Sequence, residues 1–174
     1  LTVGGVLATI TFGLLIARAF GHKWRFALLT AGSVAICGAS AAMAISAILP
    51  KDDRSEERLI FTVLGVTVLS TAAMIAYPIL AQWLGMSDVA AGVFLGGTIH
   101  DVAQVVGAGF TISDQAGDTA TLVKLIRVAM LAPIVLAASL LIRRFTEAEP
   151  GGKRPPVLPG FVISFLALAG LSSF

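Results

Sequence analysis

The sequence predicts an all-α, polytopic transmembrane helical bundle with two interrupted helices. Three observations lead there. Hydrophobic residues make up 57% of the chain and charged residues 13%, with a mean hydropathy of +0.94; a soluble domain carries roughly 25% charged residues. The charges fall in short loops between apolar runs long enough to cross a bilayer, which takes about 20 residues. Two of those runs turn small or polar in the middle, GSVAICGASAA at 32–42 and GGTIHDVAQ at 96–104. The apolar runs are continuous and do not alternate, which excludes a β-barrel reading.

Composition also excludes partners. A net charge of +2, with no basic patch interleaved with aromatics, gives no nucleic-acid surface. The single cysteine, Cys37, excludes an internal disulfide and a CxxC metal site. No cofactor and no metal are expected. The chain opens and closes in apolar runs, without an initiator Met or a signal-peptide pattern. A piece of a longer protein is therefore expected.

Five spans are expected over 1–144, followed by a polar linker at 145–159 and the start of a further span at 160–174. The first, 1–19, ends in a basic run, Arg18, Lys23 and Arg25, beside Phe20 and Trp24, where interface aromatics belong. His22 reads as a solvated loop residue. The second, 26–49, contains the first small-residue stretch; small residues let transmembrane helices pack closely. The loop PKDDRSEER at 50–58 carries both signs, and Ser55 is the expected N-cap of the third span, 59–84. Pro78 is expected to kink that span.

Ser87 is expected to cap the fourth span, 87–109, with Asp88 in its first turn. Gly92 and Gly96 make a GxxxG face. His100 and Gln104 share a face if the helix continues through them. An ionisable pair such as His100 and Asp101 is expensive in hydrocarbon and normally faces a cavity or a partner. Asp118 is the expected N-cap of the fifth span, 119–142. Lys124 and Arg127 lie on one side of it; they either snorkel to the interface or form a cationic lining. Pro133 is a second expected kink. Counting basic residues over alternating crossings puts Arg18, Lys23, Arg25, Arg143, Arg144, Lys153 and Arg154 on the cytoplasmic side. Lys51, Arg54 and Arg58 fall on the other.

A helix opened inside a membrane exposes backbone groups that must line a site or pack in protein. Transporters build substrate sites from such helices. The predicted site therefore joins Gly38 and Ser40 to Gly96, Gly97, Thr98, His100, Asp101 and Gln104, with Lys124 and Arg127 as a basic lining. Backbone amides around Gly38 and Gly96 would contact an anion, and His100 is the side chain that titrates near neutral pH. No catalytic motif is present. Three alternatives share these residues. A passive anion channel or exchanger would need no coupling ion. An intramembrane hydrolase would need Ser40 within reach of His100. A purely structural subunit would not need the His100–Asp101 pair.

The stretch GGTIHDVAQVVGAG at 96–109 resembles the signature of the YeiH-type sulfate exporter family of inner-membrane proteins. AICGASA at 35–41 and KLIRVAMLAP at 124–133 are similar to two further marked segments of that family. Carried over onto this sequence, the first of these implies that Cys37 and Ala39 join Gly38 and Ser40 in the substrate site. The resemblance covers essentially the whole chain, and members of the family are longer. It implies a secondary transporter in the bacterial inner (plasma) membrane, with an inverted-repeat fold and broken helices. It further implies sulfate or a related sulfur-containing anion as substrate. Apart from the resemblance, His100 with Asp101 is the expected proton-sensitive element of a proton-coupled switch, so a coupling proton or ion is an expected partner, and a homo-oligomer is a further partner to look for.

Overall fold

The structure, a computed structural model, describes residues 2–146, with side chains described through Arg144. The expected span from 160 and most of the 145–159 linker lie outside the described residues. Eight helical segments account for all the regular structure among the described residues. They are α1 (Thr2–Ala19), α2 (Trp24–Ala35), α3 (Ala39–Ile48), α4 (Ser55–Trp83), α5 (Asp88–Thr98), α6 (Val102–Phe110), α7 (Asp114–Ala129) and α8 (Leu131–Thr146). Three stretches are long and apolar enough to cross a membrane: Thr2–Ala19, Ser55–Trp83 and Asp114–Arg144.

In place of single helices over 26–49 and 87–109 the structure has two helical hairpins. Their arms have 12, 10, 11 and 9 residues. At about 1.5 Å per residue each reaches only about half of a ~30 Å hydrocarbon core. In the first hairpin, Gly32 on α2 lies against Ile45 on α3, so close that a Cβ at Gly32 would stand 2.3 Å from Ile45 Cδ1. These positions lie on opposite sides of the tip, so α3 runs back along α2. Its two ends meet where Arg25 Nη1 contacts Asp52 Oδ2 at 3.0 Å. In the second hairpin, Ser113 Oγ, just after α6, donates to Asp88 Oδ2 at the start of α5, 2.8 Å away.

The 29-residue α4 serves as a ruler for both hairpins. Reading along it, Phe61 faces Phe26, with ring centroids 6.0 Å apart. Val66 lies next to Gly38, and Ser70 contacts the amides of His100 and Asp101. Tyr77 stacks on Phe94 at 5.3 Å. The hairpins thus enter from opposite ends, and their tips meet within about a turn of each other at the middle of α4. One face of the molecule carries the loops at 20–23 and 49–54; the other carries those at 84–87 and 111–113.

This geometry corrects the count of basic residues. A crossing over 26–49 would separate Lys51, Arg54 and Arg58 from Arg18, Lys23 and Arg25. The Arg25–Asp52 and Arg58–Asp52 bonds bring these two sets together instead. The stretch 114–144 then returns Arg143 and Arg144 to the same face. Eight Lys and Arg residues stand on that face, whereas the opposite face carries Asp88, Asp114 and Asp118 and no Lys or Arg among the described residues.

Local chemistry explains the ends of the elements. Ser87 caps α5, its Oγ accepting from Ala90 N, as expected. Two expected caps are corrected. Ser55 is already inside α4, where its Oγ bonds back to the Asp52 amide. The N-cap of α7 is Ser113, accepting from Ala116 N at 3.1 Å, so the helix starts before Asp118. Helix α4 continues through Pro78. The 114–144 stretch breaks at Met130, three residues before Pro133. That places the missing proline N–H among the first-turn donors, which have no intrahelical acceptor.

Two apolar clusters hold the bundle. One joins α2, α3 and α8 through Ala35, Ile45, Ile48, Leu131 and Val135. The other joins α4, α5, α6 and α7 through Ala73, Leu95, Val105 and Ala120. Helix α7 sits between the arms of the second hairpin. A Cβ at Gly96 would lie 2.4 Å from Ala120 O, so only glycine permits this approach. The outer side of α4 is exposed and apolar at Phe61, Leu64, Val68 and Ile79, as a lipid-facing helix requires.

Candidate binding site

The first tip is shaped by its glycine. Helix α2 ends at Ala35, and Gly38 adopts φ +68° and ψ −118° before α3 begins. A side chain there is strained. Gly38 N–H donates to Ser33 O at 2.8 Å. No side chain caps α3, so the orphan N–H groups of its first turn face the tip region without one. Cys37 is buried and Ser40 is exposed.

The second tip is shaped by its acid. Asp101 is the N-cap of α6, its carboxylate accepting from Gln104 N at 3.2 Å. The helix therefore restarts at Val102 and does not run through His100, so His100 and Gln104 do not share a continuous helical face. Ser70 Oγ on α4 accepts from both His100 N and Asp101 N at 3.2 Å. Gln104 Nε2 donates to Thr71 Oγ1 at 3.1 Å. Thr98 spends its hydroxyl on Phe94 O, one turn back. His100 Nδ1 and Gln104 Oε1 are buried with no hydrogen-bond partner among the described residues. Buried polar atoms are normally satisfied, so each asks for an explanation.

Lys124 and Arg127 join the two tips. Lys124 is fully buried, and Arg127 is 6% exposed. Neither snorkels to an interface. Lys124 Nζ donates to Ile36 O and to Ile99 O, each at 2.9 Å. Arg127 Nε donates to Ala35 O at 3.0 Å, with a second bond from Nη2, and Nη1 donates to Gly97 O. Each cation thus holds one carbonyl from the end of α2 and one from the end of α5. Helix C-termini carry partial negative charge, about half a unit each, which makes them suitable acceptors. The ion pairs among the described residues all lie in the loop and helix ends from Arg25 to Arg58, away from these two cations.

The tips thus bring together Cys37, Gly38, Gly97, His100, Asp101, Lys124 and Arg127. Gly96 is committed to packing against α7, and Gln104 faces α4. Ser70, Thr71 and the carbonyls of Ala35, Ile36 and Ile99 were not among the expected site residues. The signal for the hydroxyls was present: Ser70–Thr71 is a polar pair at the centre of a 29-residue apolar helix. The carbonyls carry no sequence signal, because every residue has one.

The fold and these tips define a polytopic helical membrane protein. The chain belongs to the family described as Conserved hypothetical protein 698, whose model matches residues 1–174. It is 64% identical over 174 residues to a UPF0324 membrane protein of Rhizobium meliloti (strain 1021), covering 99% of this chain and 50% of the relative. It is 66% identical over 174 residues to the UPF0324 membrane protein TauZ of Paracoccus pantotrophus, covering 99% and 52%. A UPF0324 membrane protein of Chlorobaculum tepidum is 55% identical over 168 residues, covering 97% and 47%. The chain therefore spans about half the length of the curated relatives it matches. No solved structure matches.

Proposed function

We propose that this chain forms the substrate-binding core of a secondary transporter for a small anion. The observation that carries the reading is the charge at the meeting point of the tips. Lys124 and Arg127 bring two positive charges, offset by about one unit from the two helix C-termini. The first turns of α3 and α6 return about one positive unit, which Asp101 offsets when ionised. About one positive charge is left over in a buried place, and an anion is the natural complement. His100 Nδ1 and the uncapped amides of α3 lie at the same tips. Membrane helices broken at mid-depth build substrate sites in transporters.

The arrangement also fits an inverted repeat. A hairpin followed by a crossing helix, α2–α3 with α4, recurs upside down as α5–α6 with the 114–144 stretch. The TauZ name of two relatives points toward taurine and hence toward sulfonates. Sulfate is the inorganic member of the same oxyanion chemistry. The bacterial inner membrane is the proposed location, with the basic face in the cytoplasm by the positive-inside rule. A passive channel or exchanger would use the same site and lacks an observation of its own here.

The test is a thermal-shift screen of the full-length protein in detergent with taurine, sulfoacetate, sulfate, sulfite and chloride. A ligand that binds only the folded state stabilises it by RT ln(1 + [L]/Kd), about 2.7 kcal/mol at a hundredfold excess over Kd. The expected result is a shift for one sulfur oxyanion that His100→Ala abolishes. Stabilisation by cations or neutral solutes alone would remove the anion reading.

A further inference from the structure

The Lys124 ammonium is held as a bound cation is held in a carbonyl cage. Its ligands are backbone oxygens at 2.9 Å, one from each hairpin. They come from the last residues before the two tips, and the side chain is fully buried. Arg127, one turn along α7, makes a parallel tie one step further from the tips, between Ala35 O and Gly97 O. The two ties differ in chemistry. A guanidinium stays charged in proteins, whereas an ammonium can give up its proton. Arg127 is thus a permanent pivot and Lys124 a removable clip.

We propose that the Lys124 ammonium occupies the seat of a coupling cation, closing the two hairpin tips on each other while protonated and releasing them when it loses its proton. The coupling ion is then H+, and no alkali cation is needed. This deepens the anion-transporter reading and rests on it. Protonated Lys124 supplies the surplus charge that an anion requires, so proton and anion bind together and leave together. On release, the N–H bond breaks and the proton passes to water reaching the open tips. The neutral amine keeps two N–H donors but loses the charge that strengthened both bonds and offset the two helix C-termini, so its hold on the carbonyls weakens. The charged and titratable groups around Lys124 are Arg127 on its own helix, Cys37 on the first tip, and His100 and Asp101 on the second. Asp101 is committed to capping α6, and the arginine does not titrate. Of the groups that can lose a proton, Lys124 alone bonds both tips.

Cys37 reports on tip opening without any substrate. It is buried beside Ile36, whose carbonyl Lys124 holds. In the full-length protein in detergent, its alkylation by N-ethylmaleimide is followed by mass spectrometry between pH 6 and 9.5, in choline chloride or NaCl. Lys124→Arg keeps the charge at every pH and gives the baseline set by thiol ionisation alone. The wild-type rate should rise at least about tenfold above that baseline across the range, as a local opening equilibrium shifts, and should be the same in both salts. Lys124→Ala should label fast at all pH values and be slowed again by methylammonium or Na+ filling the vacated seat. Wild type tracking Lys124→Arg throughout would overturn the proposal, as would protection of wild type by Na+. If neither variant folds, a wild-type rise steeper than about tenfold per pH unit, the most that thiol ionisation alone can give, still supports the proposal, and a shallower rise or protection by Na+ overturns it. No anion enters this experiment, so a failure of the anion reading shows only in the thermal-shift screen.

Discussion

The two hairpins do the same job by different means. The first is built from small residues, with Gly32 pressed against Ile45 and Gly38 making the turn. Its open end is clasped by ions: Asp52 takes Arg25 and Arg58 together. The second is built from caps, Ser87 at its entry, Asp101 at its tip and Ser113 at its exit. Its tip amides are already taken by Ser70 and Asp101. The first tip has no such side-chain cap on α3. A tip whose backbone amides are satisfied thus faces one whose first-turn amides on α3 have no side-chain cap, so the first offers backbone donors to a ligand and the second offers side chains.

The largest expected effect tests the opposed entry of the hairpins. In the full-length protein in cells, cysteines placed at Lys23 and Lys51 should be labelled by an impermeant maleimide from one side, and a cysteine at Asp114 from the other. The contrast is all or none. Labelling of the Lys51 and Asp114 positions from the same side would restore a crossing second span and remove the hairpin.

A smaller effect separates the tips. Gly38→Ala places a side chain at φ +68°, ψ −118° and should cost about 1–3 kcal/mol of stability. Gly97→Ala meets nothing within 4 Å and should change stability by no more than about 0.5 kcal/mol. Apparent melting temperatures of the two variants check this. Equal losses would mean that the first tip does not depend on its glycine.

The smallest effect concerns the ionic clasp. The Arg58 guanidinium, with Ser55 and the Arg54 amide, holds the Asp52 carboxyl well below the usual carboxylate range. Its folded-state value is therefore depressed. The clasp contributes stability above the unfolded value of about 3.9 and loses it as pH falls toward the lower folded value. Asp52→Asn should be slightly less stable than wild type at pH 7, and the difference should shrink below pH 4. A difference that grew on acidification would contradict this sign.

Much of the candidate site was legible in the sequence. Asp101 next to a histidine in an apolar run, and two small-residue stretches, marked both tips. Lys124 and Arg127 were visible as cations in an apolar helix, but their role was not. A snorkelling lysine and a buried one share a sequence pattern; the difference lies in which backbone carbonyls come within 3 Å. Ser70 and Thr71 carry a weak signal, because hydroxyls in membrane helices commonly bond their own preceding turn, as Thr62 does with Arg58 O.

By itself the sequence determined the class of protein, the apolar lengths of the helices and the places where they lose regularity, because hydropathy and residue type act locally. Only the tertiary structure decided that the broken stretches turn back and do not cross. A glycine or an aspartate can interrupt a helix, but the direction of the next segment is set by what it packs on. Here that is α4 and α7, whose side chains hold the tips from residues 25 to 92 positions away. The gathering of basic residues on one face follows from the same turn-back, so it too was invisible until the hairpins were in place.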